Sequence, residues 1–304
     1  MLALRRILVL VNPAAGRGRA RQFIPAITSL FQKHGVVADV VTPQNATELA
    51  DCASRGIVHH DAILVVGGDG TFQHVVRSTL GSGIPLGILP AGGGNDVAAA
   101  LGIPRDPVAA AAAFLRGALR PMDVLRARFS DGHTAVYLGG GGIGLDAAAA
   151  QLASGRFSRW PGAARYFASA LSALKGFVAP AVEVELDGTP ILTPAEPMLL
   201  AVVTNTPTYG AGLHIAPEAS VDDGLLNVTL VGELSCTRVL EAFPVLLLTG
   251  DLRWPELRRF RGRRVVLRTE RPAPFHGDGE ILGETPVEIT VLPRAIAVIA
   301  AGQR

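Results

Sequence analysis

The chain has 304 residues, 49% of them hydrophobic, and a formal net charge of +2. That length and apolar content supply one large or two ordinary cores, and the small charge gives no electrostatic pull toward nucleic acid. Cys52 and Cys236 stand isolated with no metal-binding or redox spacing, which excludes a disulfide scaffold and points to a reducing compartment.

"RRILVLVNPAAGRG" opens the chain with a β-branched run that stops at a Pro-Gly turn. It predicts a strand, a tight loop and a helix from about Arg19 to His34. "VVADVVTP" predicts a second strand. In "NATELADCASRG", Asn45 followed three residues later by Glu48 has the capping-box pattern of a helix start. "DAILVVGGDG" predicts a third strand, Thr71 to Leu80 a third helix, and "PLGILPAGGGND" a fourth strand that ends in another glycine loop. An alanine-rich helix follows at Pro107 to Gly117. Strands alternating with helices at this spacing predict a parallel α/β layer.

After Pro121-Met122 the pattern changes. "VLRARFS", "TAVYLGGG", "AVEVELDG", "MLLAVVTN", "LLNVTLVG", "RVVLRTE", "VEITVLP" and "AIAVIAAG" are short, often alternating, and bounded by Gly, Asp and Pro. They predict a mainly antiparallel β region, interrupted by helices near Tyr166 to Phe177 and Thr237 to Gly250. The expected organisation is an α/β domain over 1–122 and a β domain over 123–293, with 294–304 packing back on the first. The first apolar run, Ile7 to Val11, is too short for the core of a signal peptide. The longest uncharged stretch, Pro197 to Pro217, carries prolines, threonines and Asn205 and is no membrane span. A cytoplasmic protein is therefore expected.

Three loops would meet on the rim where the parallel strands end: "NPAAGRG", "GGDGT" and "PAGGGND". Ligands of open α/β sheets sit on that rim. Glycines let backbone N–H groups reach phosphate oxygens with no Cβ in the way, and the following helix adds its positive end. In "GGDGT", Asp69 stands among Gly67, Gly68 and Gly70 as a candidate Mg²⁺ ligand, and Thr71 adds a hydroxyl. One such turn alone is as readily a tight turn as a ligand site; three on one rim point to a phosphate ligand. GxxxxGK[ST] is absent, and none of these three loops carries a strict GxGxxG, which argues against a Walker ATPase and a Rossmann dehydrogenase.

"VVGGDGTFQHVV" together with "LGILPAGGGNDVAAALGIP" resembles the soluble diacylglycerol kinase and sphingosine kinase superfamily, above all its bacterial lipid kinases. "LVNPAAGRG", "APEASVDDGLLNVTLV" and "HGDGEILGETPVEITVLPRAIAVI" match further family segments in order along nearly the whole chain. The resemblance implies an NAD-kinase/diacylglycerol-kinase-like α/β domain followed by an antiparallel β-sandwich. It implies transfer of the γ-phosphate of ATP, with Mg²⁺, to a lipid hydroxyl at the cleft between the domains. On matching positions Asn12, Thr42, Gly67, Gly68, Asp69, Gly70, Thr71, Gln73, His74, Gly92, Gly93, Gly94, Asn95 and Asp96 would hold the nucleotide. Asp278 or Glu280 would take the hydroxyl proton. The Asp223 side chain and the carbonyls of Ser220 and Leu225 would ligate a structural Mg²⁺ in the second domain. Where the family usually has Asn-Glu after GGDGT, this chain has Gln73 and His74, and Gly93 stands in place of a threonine. The other readings are an NAD kinase, which shares GGDGT, and a non-catalytic nucleotide- or lipid-binding regulator.

A kinase acting on a lipid must touch the bilayer. "GRFSRWPGAARYFASALSALKGF", with Arg156, Arg159, Trp160, Arg165, Tyr166 and Phe177, has the arginines and aromatics of an interfacial segment. "RWPELRRFRGRRVVLR", Arg253 to Arg268, is strongly basic. Either could equally be a solvated element with its aromatics in the core. Peripheral contact with an anionic inner-membrane surface is the expectation, with "AFPVLLLTG" as a candidate wall for an acyl chain.

Overall fold

The computed structural model describes residues 4–154, 162–174, 176–210 and 212–300. The chain divides into two compact units. The first runs to Met122 and takes in the end of the chain from Arg294; the second is Asp123–Pro293.

In the first unit, β1 (Arg6–Val11), α1 (Ala20–Lys33), β2 (Val37–Val41), α2 (Ala46–His59), β3 (Ala62–Gly67), α3 (Asp69–Thr79), β4 (Leu86–Pro90), α4 (Asp96–Ala100) and α5 (Pro107–Arg116) follow in order. The strands lie side by side as β4-β3-β1-β2, all parallel. β3 is central and buried at every position, which explains its unbroken apolar run, as in parallel strands covered on both faces. Each fully buried Ile, Leu or Val contributes about 1.5–3 kcal/mol. α2 starts as its sequence pattern predicts: Asn45 Oδ1 accepts from the Glu48 N–H at 2.9 Å. The glutamate reaches back one residue further than the standard box, accepting from the Gln44 N–H at 2.8 Å. The short α4 was not legible as a helix, and α3 begins at Asp69 rather than Thr71.

β5 (Ala118–Phe129) leads the chain into the second unit. There follow β6 (Thr134–Tyr137), β7 (Gly140–Gly144), α6 (Leu145–Ser154), α7 (Gly162–Leu174), β8 (Ala181–Leu186), β9 (Thr189–Thr204), β10 (Leu226–Gly232), α8 (Cys236–Leu248), β11 (Leu257–Gly262), β12 (Arg264–Thr269), β13 (Pro274–Gly277), β14 (Glu280–Glu284) and β15 (Val287–Ala300). The two closing runs predicted as separate strands are one, β15. Three strands were missed: β11 inside the basic run, and the β13–β14 hairpin. The helix α6 was missed as well.

The long β9 serves two sheets. Its first half pairs with β8, and β8 continues to β12 and β15. Its second half pairs with β7 on one side and β10 on the other, with β13 and β14 beyond β7 and β11 beyond β10. Apolar side chains from both sets of strands form one core, among them Phe129, Tyr137, Ile143, Val184, Val228, Leu267, Phe275 and Ile289.

Candidate active site

Because β1 to β4 are parallel, the segments after them open on one rim of the first unit. Asn12, just past β1, donates from Nδ2 to Thr71 Oγ1 at 2.8 Å, and its Oδ1 accepts from the Ala14 N–H at 2.9 Å. The first loop is thus tied to the start of α3. Gly68 caps α3, and its backbone lies against Gly92 beyond β4: a Cβ built on Gly92 would fall 2.6 Å from Gly68 Cα. Gly92 and Asn95 bond reciprocally, the Gly92 N–H to Asn95 Oδ1 and Asn95 Nδ2 to the Gly92 carbonyl, both at 3.0 Å. Asn95 takes a left-handed conformation, φ 63 and ψ 39, a region asparagine tolerates better than most residues. This bond pair holds Gly93 and Gly94 exposed at the loop's tip.

Asp69 links the two loops. Its Oδ2 accepts from the Asp96 N–H at 2.9 Å and its Oδ1 from the Val97 N–H at 3.2 Å. It therefore caps α4 from the first position of α3, a contact that spacing along the chain does not show. Thr71 is buried, with its Cβ 2.8 Å from the position a Cβ on Gly67 would take. Thr42 follows β2, where its carbonyl accepts from Gln44 Nε2 at 2.8 Å. Gln73 is fully buried on α3 and His74 half-buried. The rim thus gathers the loop residues named from sequence, with the N-terminus of α3 among them. Hard cations shared with phosphates need only one or two protein carboxylates. Asp69 and Asp96, half-buried at the starts of adjacent helices, fit that requirement.

In the second unit, Asp278 and Gly279 form the turn between β13 and β14, with φ 50 and φ 89. Both left-handed values make a two-residue hairpin turn of the Asp-Gly kind. The Asp278 carboxylate is anchored: Oδ2 accepts from the Leu138 N–H at 2.7 Å, and Oδ1 from those of Gly139 and Gly140 at 2.8 and 3.1 Å. Its own N–H donates to the Gly140 carbonyl at 2.8 Å. Glu280, half-buried, opens β14. The two acids that looked interchangeable from sequence differ here: Asp278 holds the hairpin to β7, and none of these three amides reaches Glu280. Beneath them, burial pushes the Tyr137 phenol well above its ordinary value and the Asp278 charge adds to this, so Tyr137 stays neutral.

The Asp223 turn is also engaged within the fold. Asp223 Oδ1 accepts from the Leu225 N–H at 2.9 Å, and Oδ2 pairs with the Arg261 guanidinium. The Ser220 hydroxyl donates to Asp222 at 2.7 Å. Asp123, fully buried, accepts from the Gly224 N–H at 2.7 Å. Arg261 holds Oδ2, so a divalent ion at Asp223 would have to share Oδ1 with the Leu225 amide or displace the guanidinium. Among the described residues, no cluster of three or more His, Cys, Asp or Glu side chains is placed to hold a metal.

The basic run is largely engaged inside the second unit. Arg258 pairs with Glu196, Arg264 with Glu185 and Glu288, and Arg268 with Glu185. Arg259 donates to the carbonyls of Ile215 and Gly250, and Trp254 lies under the Arg238 guanidinium at 4.4 Å. In α8, Leu246 packs on Ile215, Ala216 and Ala219, while Leu240 and Leu248 are exposed. Arg156, Arg159 and Trp160 lie outside the described residues, as do the side chains of Arg165 and Tyr166. Among the described residues no helix is long and apolar enough to cross a membrane.

A parallel sheet with glycine loops on its carboxyl rim, followed by a β unit with an acidic Asp-Gly-Glu hairpin, defines the class of two-domain GGDG-bearing kinases. The family models agree. Residues 6–127 match the diacylglycerol kinase catalytic domain, and residues 140–300 match the YegS C-terminal NAD kinase beta sandwich-like domain. A diacylglycerol kinase of Mycobacterium tuberculosis (strain ATCC 25618 / H37Rv) is 30% identical over 97% of this chain and 94% of its own. One from Bacillus subtilis (strain 168) is 26% identical over 97% and 96%. The crystal structure of a diacylglycerol kinase from Bacillus anthracis str. Sterne superposes with a TM-score of 0.78 at 20% identity, covering 99% of this chain and 98% of that one; at that identity it speaks for the fold alone. The chain belongs to the diacylglycerol kinase family of lipid kinases.

Proposed function

We propose that the protein transfers the γ-phosphoryl group of ATP to the free hydroxyl of a diacylglycerol-like lipid. The observation that carries this is the three-way linkage of the rim: Asn12 to Thr71, Gly68 against Gly92, and Asp69 onto the amides of α4. It holds bare backbone beside the N-terminus of α3 and two carboxylates, the parts a polyphosphate requires. Phosphoryl transfer depends on positioning and charge neutralisation more than on covalent chemistry. Asn12, Thr42, Thr71 and the amides of Gly67, Gly68, Gly70 and Gly92 to Asp96 seat the nucleotide, with Gln73 and His74 shaping the wall behind. Asp69 and Asp96 would hold Mg²⁺, which would neutralise charge on the phosphates.

Glu280 is assigned as the group that takes the proton. The lipid oxygen attacks the γ-phosphorus, the bond from that phosphorus to the β-γ bridging oxygen breaks, ADP leaves, and the hydroxyl proton passes to the Glu280 carboxylate. Asp278 is the poorer choice because three backbone amides already occupy its carboxylate. The enzyme works from the cytoplasmic side, in peripheral contact with an anionic bilayer that presents the acceptor, and serves phospholipid synthesis.

The test is radiolabelled ATP with Mg²⁺ and defined acceptors in mixed micelles: diacylglycerol, sphingosine, ceramide and phosphatidylglycerol, with NAD as a water-soluble control. A chloroform-soluble product from diacylglycerol, lost on Glu280→Gln, is the expected result. A labelled NADP, or saturable ATP binding with no transfer to any acceptor, overturns it.

A further inference from the structure

The sequence "LGGGGIG", Leu138 to Gly144, has no part in the nucleotide rim, yet it places glycines on a buried strand, β7. Each glycine makes room for something specific. A Cβ on Gly140 would lie 2.8 Å from the Tyr209 ring, one on Gly141 2.4 Å from the His276 carbonyl, and one on Gly142 2.8 Å from Asp146 Oδ2. Tyr209, His276 and Asp146 meet over this bare strand. His276 Nε2 lies 2.9 Å from Asp146 Oδ2 and 2.8 Å from the Tyr209 hydroxyl, which is itself 3.4 Å from the same carboxylate oxygen. Asp146 Oδ1 accepts from the Ala147 N–H at 2.8 Å, at the start of α6.

The cluster is shielded from water: His276 is 0% exposed and the Asp146 side chain 8%. His276 Nδ1 is buried with no hydrogen-bond partner. The proton of a neutral ring is therefore assigned to Nε2, where it faces the carboxylate, because a buried Nδ1–H with no acceptor would be the costlier tautomer. His276 sits on β13, two residues before Asp278 and four before Glu280. α6, which begins at Leu145, packs against both β13 and β14.

We propose that Asp146, His276 and Tyr209 form a buried brace that fixes the β13–β14 hairpin on β7 and so sets the position of Glu280. These are positioning residues: none is assigned to touch the substrate. The inference rests on the proposed kinase reaction for its kinetic consequence, but not for its structural one. Asp278 ties the turn of the hairpin to the amides of 138–140, and the brace ties the strand leading into it to the start of α6. A hairpin held at both points presents its acid in one place, which phosphoryl transfer to a poor nucleophile needs.

The experiment compares His276→Leu, His276→Gln and Tyr209→Phe with the unaltered protein by two readouts. In native-state hydrogen exchange, His276→Leu should speed exchange of the amides of Leu138, Gly139 and Gly140 and of the hairpin, leaving β10 and β11 unchanged. His276→Gln, whose amide can still donate toward Asp146, should restore part of the protection. In turnover, His276→Leu should lower kcat by roughly tenfold to a hundredfold, as a misplaced group of about 1 Å does, with KM for ATP within about twofold. Tyr209→Phe should lower kcat by less. Exchange that rises evenly over the second unit, or a glutamine variant no better than the leucine one, overturns the brace. A kcat loss that merely follows the unfolded fraction does so too. If the unaltered protein phosphorylates no lipid, the proposed function falls, and the exchange pattern still decides the brace.

Discussion

At the tip of the loop after β4, Gly93 and Gly94 are exposed and leave backbone amides open. In β7, Gly140, Gly141 and Gly142 are buried, and their missing side chains admit a tyrosine ring, a carbonyl and a carboxylate. Both stretches read as glycine runs after an apolar segment. The first, by the proposal above, serves a ligand; the second serves packing beneath an acidic hairpin. A missing Cβ creates space without saying what fills it. What decides is whether the strand has neighbours on both sides. β7 lies between β9 and β13, whereas Gly93 and Gly94 lie beyond a strand end, where no ladder takes up their N–H groups.

The comparison breaks most sharply on the two acids of the hairpin. Glu280→Gln should lower kcat by about 10²–10⁴, the usual contribution of general-base catalysis, with an unchanged melting curve. If Asp278→Asn gives the larger kinetic loss at equal stability, the proton acceptor is misassigned. Next comes Gly92→Ala. Its Cβ meets backbone at Gly68 rather than a flexible side chain, so the rim loops must part, and ATP affinity should fall by roughly a hundredfold, as misplaced binding groups do. Equilibrium dialysis with labelled ATP measures this. Unaltered affinity would show that the Gly68–Gly92 contact has no part in the site.

Asp278→Asn should mainly cost stability. An amide oxygen replaces a carboxylate that takes three N–H bonds, and hydrogen bonds to charged groups contribute about 1.5–3 kcal/mol. Both tryptophans, Trp160 and Trp254, fall between Asp123 and Pro293 along the sequence, and Trp254 packs under Arg238 in the second unit, so urea unfolding followed by tryptophan fluorescence reads this loss. A midpoint equal to that of the unaltered protein would remove the anchoring role.

The smallest effect concerns His133, which touches the same hairpin from the turn between β5 and β6. Its Nε2 lies 2.9 Å from the Leu282 carbonyl and its Nδ1 2.6 Å from Asp131. Both partners accept, so the doubly protonated ring is favoured: the Leu282 carbonyl first, then Asp131, raise its pKa above the ordinary value. A raised folded value means the tether is fully present below about pH 6.5, the ordinary histidine value. It is lost as pH rises through the folded value. The ring is solvent-exposed, so only local protection of β14 should respond. The Ile281 to Gly283 amides should exchange faster, relative to intrinsic rates, at the alkaline end. His133→Asn should abolish that dependence, and a flat profile in the unaltered protein would remove the tether.

Much of this was legible along the chain. The apolar run Ile63 to Val66 announced a buried parallel strand, Asn45 and Glu48 announced a helix start, and the order of GGDGT, Asn95-Asp96 and Asp278-Gly279-Glu280 announced the family. These are local signals, set by backbone sterics, period and short-range hydrogen bonds. The strands β13 and β14 escaped because each is short and rich in glycine and charge. α4 and α6 escaped because five residues, or an alanine run beside glycines, give no clear helical period.

By itself the sequence determined the two kinds of secondary structure, the glycine turns at the ends of parallel strands, and the residues that carry the resemblance. Only the tertiary structure decided that Asp69 caps α4, that Asp223 faces Arg261, that Asp278 is an anchor, and that Asp146, His276 and Tyr209 converge on one strand. Those partners are separated by 27, 38, 138 to 140, and 63 to 130 positions along the chain. A carboxylate's role depends on which donors reach it, and donors that far apart in sequence are brought within hydrogen-bond reach of it only by the packing of sheets and helices.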